Sequence, residues 1–107
     1  MKTADLIGPA LDWAVAKCEG HKVEPLPGLS VYSSASWSMY STDWSQGGPI
    51  IEREGIGFYM GNRSKWWAQP PGEPWTHDGP TPLIAAMRCY VASKLGDEVD
   101  VPEELVC

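Results

Sequence analysis

Apolar and polar residues alternate in four distinguishable regimes along the chain. From Pro9 to Cys18 the apolar positions Leu11, Ala14, Val15 and Cys18 recur at helical spacing, joined upstream by Ile7. Asp12 near the start and Lys17 near the end suit the helix dipole, and Gly20 supplies the left-handed stop. Before this helix, Thr3 is expected to cap a first turn over 4–7, and Gly8-Pro9 offers a restart or a kink. Trp13 falls on the side opposite the apolar stripe, so it either packs across a partner element or stays partly open. The second clear helix opens at Pro82 under a Thr81 cap. It carries the stripe Leu83, Ile84, Met87, Val91 and Leu95, and stops at Gly96.

Between these helices the pattern turns strand-like. Lys22–Leu26 and Leu29–Tyr32 are short β-tending pieces broken by Pro27-Gly28; Ser33–Ser36 reads as a loop and 37–40 as a short strand. Ser41–Gly48 is polar and turn-rich. Pro49 then opens a brief helix over 49–54 stopped by Gly55, its free N–H groups aimed at whatever lies before the Gly47-Gly48 loop. Ile56–Met60 and Arg63–Ala68 read as a hairpin around a Gly61-Asn62 turn. Trp66 and Trp67 are neighbours in its second strand, so they face opposite sides of the sheet. Gln69–Pro80 reads as an irregular Pro/Gly loop, and Val99 and Val101 as a short edge strand. The sum is an α+β domain: a small, mostly antiparallel β-sheet with two main helices packed on one face, 1–107 as one domain, and an acidic tail from about 97 to 107.

Composition sharpens this reading in two ways. Eleven glycines and ten prolines in 107 residues imply many turns, and five of the six tryptophans fall between Trp37 and Trp75. That is more large flat surface than a small core needs, so part of it is expected to face a ligand or partner. Trp13, Trp37, Trp66 and Phe58 read first as core, whereas Trp44, Trp67 and Trp75 sit beside polar residues on loops or opposite a core-facing neighbour. A net charge of −6 opposes binding to nucleic-acid polymers or anionic membranes. The start lacks a basic, apolar leader, no run approaches a membrane span, and three widely spaced cysteines read as free thiols in a reducing cytoplasm.

Candidate chemistry is sparse. Cys18 and His21 form half a metal motif with no second close pair, so no metal and no cofactor are expected. Cys89 has no base beside it, the carboxylate pairs are those of any acidic chain, and no phosphate-binding glycine loop with its lysine occurs. The expectation is a binder, not an enzyme. Its candidate ligand-binding set is Tyr40, Asp43, Trp44, Gln46, Gly47, Gly48, Arg53, Arg63, Trp66, Trp67, Trp75 and His77. Stacking rings beside a few cations suit a small nucleotide-like ligand. The same rings serve equally as anchors for a protein partner. The uncovered side of the hairpin at Trp67 suggests a homo-oligomer.

Three blocks, LDWAVAKCEG from Leu11, YSTDWSQGGPIIEREGI from Tyr40 and GPTPLIAAMRCYVASKLGDEVDVPEEL from Gly79, resemble the NinX-type accessory proteins of tailed bacteriophages and prophages. The resemblance runs from Leu11 to about Leu105 and is weakest over 65–80. It implies a phage or prophage origin and action in the bacterial cytoplasm. It transfers no site residues. By analogy of context and size alone, it suggests a counter-defence protein that sequesters nucleotide signals of host immunity.

Overall fold

The computed structural model describes residues 1–20, 39–62 and 65–101. The strands expected between Lys22 and Tyr32, the Ser33–Ser36 loop, Trp37, Arg63 and the end of the tail lie outside the described residues.

In chain order, a 3-10 turn (Thr3–Asp5) leads into α1 (Gly8–Cys18). Then come α2 (Trp44–Glu54), the strands β1 (Gly57–Asn62), β2 (Lys65–Gln69) and β3 (His77–Gly79), and α3 (Pro82–Leu95). The strands form one antiparallel sheet in the order β1-β2-β3. The result is the small α+β fold expected: α1 and α3 are the two main helices, and α2 is a longer form of the brief helix expected over 49–54.

The architecture is built around α3. Thr81 accepts the Ile84 N–H as its cap, Pro82 occupies the first turn, and Gly96 ends the helix with a positive φ. Every residue from Leu83 to Val91 is buried, so the expected single stripe is replaced by burial on all sides. The cause is position: α3 touches all three strands on one side and both α1 and α2 on the other. Small residues let the sheet come close. A Cβ on Gly79 would sit 2.7 Å from the Ala85 backbone nitrogen. Trp13 takes the packed alternative: it is buried, with the Lys17 ammonium 5.2 Å from the ring centroid.

Several expected boundaries move. Thr3 does not cap a turn; its hydroxyl is buried and donates to the Gly96 carbonyl at 2.6 Å. Val99 and Val101 do not extend the sheet. Instead Lys2 and Glu98 form an isolated bridge, and the Val99 N–H donates to the Met1 carbonyl. Gly61-Asn62 is not the hairpin turn. Both residues belong to β1, whose register shifts between Met60 and Asn62 so that Asn62 pairs with Lys65. His77–Gly79, expected as loop, pairs with Ala68, Trp67 and Trp66 as a third strand.

The largest shift is in α2, which starts at Trp44 and not at Pro49. Asp43 is its N-cap, accepting from the backbone N–H of Ser45 at 2.9 Å and from its hydroxyl at 2.7 Å. Gly47 and Gly48 are therefore helical, and Pro49 sits inside the helix, where it removes one backbone hydrogen bond. Gly47 is required by contact: a Cβ there would lie 2.4 Å from the Tyr40 carbonyl oxygen and 2.6 Å from Leu83 Cδ1.

Candidate functional site

Strand register decides which rings share a face. Phe58 pairs with Ala68 and Met60 with Trp66, which places all four on the helix side, while Tyr59 and Trp67 pair on the bare side. The opposition of Trp66 and Trp67 follows as expected. Trp66 is half-buried against the core. Trp67 is also half-buried, and part of its cover is intramolecular: a Cβ on Gly61 would fall 2.1 Å from its indole ring, so the ring lies over that glycine.

Among the described residues, most of the exposed large hydrophobics gather at β1 and the start of α2. α3 lies mainly over β2 and β3, so the helix-side residues of β1 are left open. Met60 is 61% exposed, Trp44 48% and Phe58 40%, and Tyr59, on the other face, 53%. Trp44, from the first turn of α2, meets Phe58 at 5.9 Å between centroids, and Phe58 meets Trp66 edge-on at 6.2 Å. An aromatic strip thus runs from α2 across the edge strand into the sheet. Next to it, an open groove of about 600 Å³ is lined by Phe58, Tyr59, Gln69, Pro71, Glu73 and Pro74. Gln69 braces the groove's loop by donating to the Glu73 carbonyl at 2.6 Å.

The other residues of the expected site are dispersed and have structural duties. Tyr40 and Gly47 are buried. Asp43 is committed to capping, and hydrogen bonds from Ser45 and Gln46 hold its carboxyl below its ordinary pKa. Gln46 bridges Asp43 to the Met39 N–H. A carboxylate thus sits where a phosphate at this helix start would bind. Gly48 is helical, with only Trp44 near its Cα at 3.8 Å from a built Cβ. Arg53 points the other way, into a cluster with Glu19 (2.6 Å), Glu54 (2.9 Å) and the Tyr90 hydroxyl (3.1 Å). Hydrogen bonds to Glu19 and Glu54 raise its pKa further. Trp75 stacks edge-on to His77 at 5.7 Å, and burial lowers the His77 pKa, so this imidazole is neutral at pH 7.

Thus only Trp44 and Trp66 of the expected set join one surface among the described residues. Phe58, expected as core, and Met60 complete it, while Tyr59 is exposed on the opposite face of the same strand; none of the three was in the set. The uncharged run GFYMG was the available signal, because natural edge strands usually carry charge or proline.

Among the described residues, no group of three or more His, Cys, Asp or Glu side chains is placed to hold a metal ion. No helix among them is long and apolar enough to cross a membrane. Burial pushes the Cys89 thiol up to about 12 and Cys18 up to about 11, the reverse of an activated nucleophile. The molecule is a small α+β domain whose notable surface is an apolar edge.

The family model described as "Bacteriophage P22, NinX" matches residues 2–94, and the chain belongs to that family of phage accessory proteins. No curated protein matches it.

Proposed function

We propose that this phage accessory protein is a non-enzymatic binder that works inside the bacterial host by docking another protein against its β1 edge. The observation that carries this is the uncharged edge strand, whose Phe58 and Met60 are exposed on one face with Trp44 beside them. An edge strand offers unpaired backbone groups, and large aromatic anchors supply most of the affinity at protein interfaces. Among the described residues the expected cation Arg53 is held by Glu19 and Glu54 away from this flat strip, which suits a protein better than a phosphorylated ligand. Inhibition of a host or phage enzyme is the corresponding role.

The second reading is capture of a small nucleotide-like ligand, with sequestration of host immune signals as its consequence. The Trp44–Phe58 ring pair and the adjoining open groove support it. A homo-oligomer belongs to the same proposal, because the sheet face holding Tyr59 and Trp67 carries no helix of this chain among the described residues.

One double variant separates these readings. Trp44→Ala/Phe58→Ala and wild type, matched by circular dichroism, are used as bait in infected-host lysate and titrated calorimetrically with cyclic di- and trinucleotides and ADP-ribose derivatives. A stoichiometric protein held by wild type and lost by the double variant supports docking. Saturable nucleotide binding lost in the variant moves the assignment to the second reading. Equal retention by both proteins sinks the aromatic edge as the site. Sedimentation of Tyr59→Ser beside wild type tests the second copy: an oligomer that persists unchanged removes that face from the interface.

A further inference from the structure

At the opposite edge of the sheet, Arg88 is a buried cation with no direct counter-ion among the described residues. It lies in the middle of α3 and is only 8% exposed. Its Nε donates to the Leu6 carbonyl at 2.7 Å and its Nη1 to the Asp78 carbonyl at 2.8 Å, two neutral acceptors. Among the described residues no carboxylate lies within ion-pair distance of the guanidinium, and Nη2 makes no hydrogen bond. Asp78 and Asp5 offset part of the charge from further away, yet burial dominates and lowers the Arg88 pKa. A buried charge without a counter-ion is costly.

Arg88 opens onto a cleft of about 300 Å³ lined also by Lys65, Asp78, Gly79 and Pro80. Lys65 Nζ lies 3.3 Å from Asp78 Oδ2, in an exposed ion pair that costs little to rearrange. We propose that this cleft binds a small oxyanion, a phosphate group free or carried by a nucleotide, between the Arg88 guanidinium and the Lys65 ammonium. A guanidinium fixed by two carbonyls presents its remaining N–H groups in a set direction, and an ammonium on a flexible stem adapts to the rest of the anion. Asp78 is the opposing group: its side chain competes for Lys65, whereas its backbone carbonyl holds Arg88. The site is independent of the aromatic edge, so Trp44→Ala/Phe58→Ala leaves it unchanged.

The test is titration of the full chain with inorganic phosphate, adenosine monophosphate and acetate at constant ionic strength in chloride, following the Arg88 Nε–H and Gly79 amide resonances. Saturable phosphate-dependent shifts are expected, weakened roughly tenfold in Lys65→Gln through loss of one charge-assisted contact and tightened in Asp78→Asn. Adenosine monophosphate binding tighter than phosphate assigns the anion to a nucleotide; equal affinity assigns free phosphate. Arg88→Lys, where it remains folded, abolishes binding. Shifts that are linear in concentration and matched by chloride overturn the proposal. So do saturable shifts with unchanged midpoints in both Lys65→Gln and Asp78→Asn, which leave Arg88 as a clamp between Leu6 and β3.

Discussion

Replacing Gly47 by alanine tests how α2 is seated. The new methyl carbon would lie 2.4 Å from the Tyr40 carbonyl oxygen, a full 1.0 Å inside the 3.4 Å at which ordinary contact begins. Leu83 Cδ1, at 2.6 Å, can rotate aside; the carbonyl cannot. It shares a peptide plane with the Ser41 N–H, which donates to the buried Asp12 carboxylate at 2.8 Å, and the Ser41 hydroxyl adds a second bond at 2.7 Å. Relief therefore means moving α2 or disturbing that anchor. Overpacking costs about 1–3 kcal/mol. Weakening a hydrogen bond to a charged acceptor adds about 1–2 kcal/mol, and alanine's helix preference returns about 0.5–1 kcal/mol. The net loss is about 1–4 kcal/mol, roughly 5–25 °C in melting temperature for a domain of this size. Gly48→Ala is the control, because its built Cβ meets only Trp44 at 3.8 Å. Its helix gain, reduced by the crowding that precedes a proline, makes it neutral to slightly stabilising, within about 0.5 kcal/mol. Thermal and urea unfolding followed by circular dichroism and tryptophan emission measure both. A Gly47→Ala protein as stable as wild type, or one indistinguishable from Gly48→Ala, would refute this account of the packing.

Four further outcomes are expected. Thr81→Ala removes the cap accepting the Ile84 N–H and lowers stability by about 1 kcal/mol in urea unfolding, whereas Thr81→Ser largely preserves it. Asp43 is depressed below its ordinary 3.8 by bonds from Ser45 and Gln46, so the stability it contributes is present above that value and lost as pH falls through the folded pKa. In Asp43→Asn the urea midpoint should fall less steeply over that acid range; an identical slope would contradict the assignment. Cys89 is fully buried with its thiol pushed up to about 12, so at pH 8 a thiol reagent should leave it unmodified in the native protein and label it after unfolding, as read by peptide mass mapping. Gly61→Ala displaces the Trp67 indole that lies 2.1 Å from the built Cβ, and a shifted emission maximum with the fold retained reports it; unchanged emission removes that contact.

Local signals in the sequence determined the ends of α3, from the Thr81 cap to Gly96, the Gly55 stop of α2 and the opposite orientations of Trp66 and Trp67. Each depends only on groups a few residues apart, such as a hydroxyl within reach of an N–H or the pleat of a single strand. Tertiary structure decided the rest. The three residues of β3 have no pattern of their own and become a strand because Trp66–Ala68 present partners. Gly47-Gly48 resembles a flexible loop until Tyr40 and Leu83 are brought against it, where it becomes the only way to seat a helix so closely. The exposed edge at Phe58 and Met60 exists because α3 settles over β2 and β3, and Arg88 became a buried cation when the sheet closed over its helix. Exposure and charge compensation are properties of neighbours distant in the chain, and no periodicity within one segment encodes them.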